Sequence, residues 1–269
     1  MKITLDNFAV CGAIRWQWRR LLSKAALTSH CRIGDCNTPT QLSKENVMRM
    51  RAATALLCAL AVVGLIGFPH QVLAAGPVPC VGNFSNETIP RGMEVPAGTT
   101  CTLTDVNVMG NIRINAGASL SLNGGTVAGN IHGIHASLFF MVPDGASNPV
   151  TVNGNVLMLN VASVEMSRGT VKGNFIANKS TSIGISGTAF GRNLVVSNTV
   201  STIQILGTTI GDDFIILGND GNAFIAGNTV SRSLLAMGNT GGIALVSNVV
   251  SRNLICRGNV PAATGQCTE

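Results

Sequence analysis

The feature that most restricts this chain is a period. One apolar residue recurs as Val108, Val127, Val152, Val171, Phe190, Ile210, Val230 and Val250, and the successive intervals are 19, 25, 19, 19, 20, 20 and 20. Four residues after each comes a second apolar position (Ile112, Ile131, Val156, Phe175, Leu194, Phe214, Leu234, Leu254), and two further on a third (Ile114, Met158, Ala177, Val196, Ile216, Ala236, Cys256). An alternating pair completes most units: Leu120/Leu122, Val164/Met166, Ile183/Ile185, Ile203/Ile205, Ala223/Ile225 and Ile243/Leu245. Alternation at period two marks a strand with one buried face. The separators are Gly, Asn, Ser and Thr, which favour turns. No helix-length periodic segment lies between the strands, so strands recurring in this way stack in parallel only if the chain coils. The predicted fold is all-β: a parallel β-helix, or solenoid, with coils of about 20 residues. Right-handedness is expected, since parallel crossovers are right-handed by default.

Three polar columns fit the stacking. Three positions after the anchor stands Asn in six units: Asn111, Asn130, Asn155, Asn174, Asn193 and Asn253, with Asp213 and Ser233 in the other two. Asn tolerates a left-handed corner, and its amide can bond the Asn of the next coil. Thr126, Thr151, Thr170, Thr209 and Thr229 precede their anchors and should face out. Arg192, Asp212, Arg232 and Arg252 form a third column, which predicts an aspartate flanked by two arginines. A surface ion ladder of that kind contributes about 0.5 kcal/mol per pair and mainly supports register.

The segment before the repeat reads differently. Met48-Arg-Met-Arg51 is a basic n-region, Ala52 to Phe68 is continuously apolar, and Val72-Leu73-Ala74 has the small-residue pattern of a cleavage site. Residues 48–74 are therefore expected to be a signal peptide. Residues 1–47, polar and without periodicity, read as a gene-model extension or a disordered leader, which leaves 75–269 as the β-helix domain. Composition supports this division. The net charge of +6 lies wholly before Gly76, where nine Lys/Arg face three acids, whereas nine of each follow. A neutral body gives no electrostatic support for nucleic acid or an anionic surface, so membrane contact is expected only through an uncleaved signal peptide. The expected address is exported: extracellular, cell surface or periplasm.

After processing four cysteines remain, and an exported chain favours disulfides. The separation of Cys80 and Cys101 is close to one coil, and residues one coil apart stack within disulfide reach. Cys256 holds an inward column of the last coil, with Cys267 following in the short tail. The expected pairs are Cys80–Cys101 and Cys256–Cys267, the second folding the tail over the open end of the core.

The steps Val152-Asn-Gly-Asn-Val156, Gly227-Asn-Thr-Val230 and Ser251-Arg-Asn-Leu-Ile-Cys-Arg-Gly-Asn259, with the paired end cysteines, resemble secreted bacterial β-helix repeat proteins of uncharacterised function. The resemblance covers residues 80–267. It extends distantly to the polymer-forming bactofilins, from which the export signal and stapled ends depart. It implies fold and secretion and supplies no catalytic residues.

Chemistry has few footholds. β-Helix enzymes acting on polysaccharides need clustered acids, often with Ca²⁺. Here the only adjacent acids are Asp212-Asp213, which as neighbours on a strand would point to opposite faces. The body has neither Trp nor Tyr for stacking on sugars. His132-x-x-His135 has metal-like spacing without a nearby Cys or Glu, so no catalytic, cofactor or metal residue is assigned. The long interval draws attention to Leu138-Phe139-Phe140-Met141-Val142 and Pro143-Asp144-Gly145. This run reads as a buried strand followed by a turn, or as a protruding loop in which Phe139, Phe140, Met141 and Asp144 form a recognition patch. The function expected is an exported, non-enzymatic structural or adhesive module whose partner is unknown, a glycan or a surface protein. The alternatives are a polysaccharide-binding or polysaccharide-cleaving β-helix and a polymer-forming scaffold.

Overall fold

The computed structural model describes residues 76–143 and 148–267. The readings of 1–47 and 48–74 lie outside them. Every described strand belongs to one compact unit, Val72–Glu269. All its described elements are strands, most of two to five residues, and every described pairing is parallel, so the unit is a parallel β-solenoid. It has three faces. The first is a ladder of ten strands from Val78–Pro79 to Leu254–Arg257. The second runs from Gly82–Ser85 to Thr264–Gly265. The third consists mostly of two-residue strands, such as Thr170–Val171 and Thr229–Val230. Two nine-residue strands, Thr100–Val108 and Ser119–Val127, run through the corner and join the second and third faces. Successive coils repeat at an offset of 19 or 20, as in Val156↔Phe175 and Leu194↔Phe214. Nine steps of the first face at about 4.8 Å make a stack about 43 Å long.

The side chains sort as period two requires. Seven of the eight anchors are buried, and Val250, in the last coil, is partly so. The columns of Ile112 to Leu234 and of Leu120/Leu122 to Ile243/Leu245 fill the core, where the Phe175 and Phe190 rings lie 5.5 Å apart. The coil count extends one turn before the sequence repeat: Ile89 stacks on Val108, and Met93 on Ile112.

The long interval is placed more finely than the sequence allowed. Leu122 pairs with Met141 at the ordinary offset of 19, whereas Val127 pairs with Val152 at 25. The extra residues therefore lie between Met141 and Val150, and Leu138–Met141 is a regular strand of the second face.

The corners differ from expectation in their backbone. The outer Asn column bonds coil to coil: the Asn130 N–H and Nδ2 donate to Asn111 Oδ1 at 2.8 and 3.3 Å, and the same pattern links Asn155, Asn174 and Asn193. Asp213 takes an Asn's place by accepting from the Ser233 N–H, and Asn253 closes the column on Ser233 Oγ. None of these Asn residues has a positive φ. The left-handed corners lie elsewhere, at Asn160, Lys179, Asn198, Gly218, Gly238 and Gly258 after the first face and at Arg168, Gly187, Gly207, Gly227 and Ser247 after the second. Hydrogen bonding to the next coil, not a left-handed backbone, explains the outer Asn.

The residue after each of these corners turns into the core, and in the later coils it is Asn. Two interior amide ladders result. In one, Asn219 Nδ2 donates to Asn239 Oδ1, and Asn239 Nδ2 to Asn259 Oδ1, both at 2.8 Å. In the other, Asn228 Nδ2 donates to Asn248 Oδ1 at 2.9 Å and Asn248 Nδ2 to Gln266 Oε1 at 3.0 Å. Each amide also reaches a backbone carbonyl, such as Ile205 O from Asn228 and Ala236 O from Asn259. Buried amides are costly unless satisfied, and stacking at one residue per coil satisfies them. Towards the N-terminus the first column changes to Thr199 and Ser180, whose hydroxyls are buried without a partner.

Both disulfides are those expected. Cys80–Cys101 spans 5.5 Å between Cα atoms and Cys256–Cys267 spans 6.0 Å. Cys101 stacks on Gly82 rather than on Cys80, so the first bridge crosses diagonally between neighbouring coils. At the other end Ala263 and Cys267 are buried against the last coil.

Candidate functional site

The face of a solenoid strand that points out carries whatever the repeat does not need for packing. On the first face the outward residues begin as Glu94, Arg113 and His132 and then turn aliphatic. Leu157, Ile176, Val195, Ile215, Leu235 and Ile255 stack in register over six successive coils. A parallel outward column adds Ile134 and Leu159 early and Leu217 and Met237 late. Ile176, Leu217 and Ile255 are 37%, 46% and 41% exposed. An outward strand face is ordinarily polar, and contiguous exposed apolar patches mark contact sites.

Charge is segregated around this strip. Arg192, Asp212, Arg232 and Arg252 form the corner where the third face meets the first, with Lys172 one residue before that column. Lys179 lies at the opposite corner, and Arg257 continues the Met237 column. Six of the domain's nine cations thus rim the strip, against Asp212 and Asp213. The arginine column is looser than expected: Asp212 pairs with Arg232, Nε to Oδ1 at 3.2 Å, and among the described residues this is the single ion pair.

The second face carries a different arrangement. Phe140, Glu165, Gly184, Gln204 and Phe224 form one outward column. Gly184, lacking a side chain, leaves a dimple of about 130 Å³ into which the Glu165 carboxylate leans. Partial burial raises the pKa of this carboxyl above its ordinary value. The dimple is walled by Phe140, Gln204 and Leu206.

Of the two readings of the run from Leu138, the buried strand holds. Phe139 and Met141 are fully buried, because alternation on a regular strand turns them inward; Phe140 faces outward into the dimple. They do not form a protruding loop, and Asp144 lies outside the described residues. Asn148 Nδ2 donates to Asp105 Oδ1 at 2.9 Å, beside an open hollow of about 300 Å³.

The remaining candidates stay apart. His132 points outward from the first face, and His135 occupies a left-handed corner. Among the described residues no three His, Cys, Asp or Glu side chains gather as a metal site. The Thr column faces out, alternating with buried anchors.

Comparison with known proteins gives no match: no family profile, no curated protein and no solved structure is similar to this chain. The class assigned, a parallel β-solenoid, rests on strand stacking alone.

Sequence reasoning missed the outward aliphatic column and the interior Asn ladders. A signal for the first was present. Runs such as Leu194-Val-Val, Phe214-Ile-Ile-Leu and Leu234-Leu-Ala-Met are apolar throughout, where a strand with one wet face should alternate.

Proposed function

We propose that this chain is an exported, non-enzymatic β-solenoid serving as a structural or binding module at the cell surface or in the medium, and that it meets its partner through the first face. The observation that carries this reading is the six-coil aliphatic column on an outward surface. Two disulfides at the ends of the stack fit an oxidising compartment. The kinship with secreted bacterial β-helix proteins belongs to the same proposal. Stapled ends, with the tail packed over the last coil, disfavour end-to-end polymerisation.

The test is fractionation of bacteria expressing the full chain as wild type and as Val195→Thr/Ile215→Thr/Leu235→Thr. Thr preserves strand preference at outward positions. The wild type should be recovered outside the cytoplasm and held at the envelope, with the variant released to the medium. Cytoplasmic wild type, or the same distribution for both, contradicts the reading.

A second reading, polysaccharide binding or cleavage, is favoured by the second-face dimple. A carboxylate and an amide lie between aromatic side chains, where sugar hydroxyls and a ring face would find partners. Binding to a glycan array, or depolymerisation of pectin or alginate, that disappears in Glu165→Gln would select it.

A further inference from the structure

We infer that the first face docks onto an anionic lipid surface. This rests on the reading of that face as the contact face, and it names the partner. The strip and its rim have complementary chemistry. An aliphatic column six coils long offers a flat apolar band about 24 Å between its end residues. Lys172, Arg192, Arg232 and Arg252 border one side and Lys179 the other, all exposed. Arg257 lies within the outward columns at the last coil. An apolar band between cations is the arrangement by which a protein lies in a bilayer interface, with aliphatic groups entering the headgroup–acyl boundary and Lys/Arg meeting anionic headgroups. The neutral net charge of the domain conceals this, because its acids lie largely elsewhere: Glu94 toward the N-terminal end, Glu165 on the second face, and Asp220 beyond the corner, bonded by the Thr240 hydroxyl.

The rival occupant is a second copy. Two such faces packed about a twofold axis across the stack would set the arginine corner of one against that of the other, and about an axis along the stack would set it against Lys179. Like charges placed opposite one another oppose association. A lipid surface takes both corners favourably.

The test uses residues 72–269, whose core is complete within one unit, and so avoids the apolar leader. Flotation is measured with vesicles of phosphatidylcholine alone and of two parts phosphatidylcholine to one part phosphatidylglycerol, with sedimentation velocity in parallel. Expected results are binding to the anionic vesicles, weaker binding to neutral ones and partial release at 1 M salt, where the Debye length falls to about 3 Å. Arg192→Gln/Arg252→Gln should weaken partition about 25-fold, about fivefold for each charge. Val195→Thr/Ile215→Thr/Leu235→Thr should weaken it about 30-fold, after discounting for positions already half-covered. Circular dichroism melting confirms that each variant is folded. Failure to float with either vesicle overturns the proposal, as does a dimer that only the threonine variant dissolves. Envelope retention lost in the threonine variant despite no vesicle binding would leave the contact face standing with a different partner.

Discussion

The interior amide ladder gives the most demanding prediction about the fold. Asn239 is fully buried. Its Oδ1 accepts from the Asn219 N–H at 3.1 Å and from Asn219 Nδ2 at 2.8 Å; its Nδ2 donates to Asn259 Oδ1 at 2.8 Å and Ile216 O at 3.3 Å. Asn239→Ala removes all four bonds. Asn219 Nδ2 keeps Val196 O, and Asn259 Oδ1 keeps the backbone N–H of residue 239. The Asn219 N–H loses the acceptor on which it relies, at about 1–3 kcal/mol for a buried orphan, and the three further bonds together add about 2 kcal/mol net, because Asn219 Nδ2 and Asn259 Oδ1 each keep a partner. The expected cost is about 3–5 kcal/mol. The same truncation in the outer ladder, Asn130→Ala, exposes its partners to water and should cost about 0.5–1 kcal/mol. At about 2–4 °C per kcal/mol for a domain of this size, thermal melting of residues 72–269 should fall by about 6–20 °C for Asn239→Ala and by less than about 4 °C for Asn130→Ala. Hydrogen exchange at the Asn219 amide should rise in the first variant only. Equal melting shifts for the two variants would refute the reasoning.

Further expectations follow from single positions. Gly125 has a φ of +87°, and a Cβ there would run into the Val106 carbonyl; Gly125→Ala should therefore lower stability by at least about 2 kcal/mol in urea unfolding. Removal of the C-terminal bridge by Cys256→Ser/Cys267→Ser should cost about 3 kcal/mol, as expected for a short closed loop, while non-reducing peptide mapping of the wild type should return only Cys80–Cys101 and Cys256–Cys267. Burial raises the Glu165 pKa, so its neutral form is favoured in the fold. The stability this contributes is present at acid pH and is lost as pH rises through the ordinary carboxylate value towards the raised one. Melting of wild type relative to Glu165→Gln should accordingly decline across that window and stay lower at neutral pH; a difference independent of pH would contradict the assignment.

The parts of this architecture that were legible in the sequence are those repeated once per coil with a single physical meaning. The anchors from Val108 to Val250 could only be core, and Asn111 to Asn253 could only be a corner column, so both survive in the structure. Cysteine pairing was readable because the separation of Cys80 from Cys101 nearly equals a coil. What escaped had two possible meanings. Ile176, Val195 and Ile215 sit beside inward Phe175, Leu194 and Phe214, and an unbroken apolar run does not say which of its members faces water. Asn219 and Asn239 follow glycines, as turn residues do, and polarity alone would place them outside. Only stacking reveals that each is satisfied by the next. The long interval was ambiguous in the same way: its length does not say on which side of Leu138–Met141 the extra residues fall, and their true position turned Phe139 and Met141 from surface candidates into core.

The central claim is that the chain closes one coil at each sequence repeat and sets the outward first-face residues in a single line, the extra residues between Met141 and Val150 adding no step to the stack. Paired nitroxide labels on residues 72–269 test this directly, since the four cysteines of that unit are bridged. With one label at Ile255→Cys and the other at Leu157→Cys, His132→Cys or Arg113→Cys, pulsed electron paramagnetic resonance should give separations of about 24, 29 and 34 Å, one even step per coil. The step from Leu157 to His132 should match that from His132 to Arg113, although the insertion makes the first the longer along the chain. Unequal steps, or separations that scale with residue number, would contradict the account.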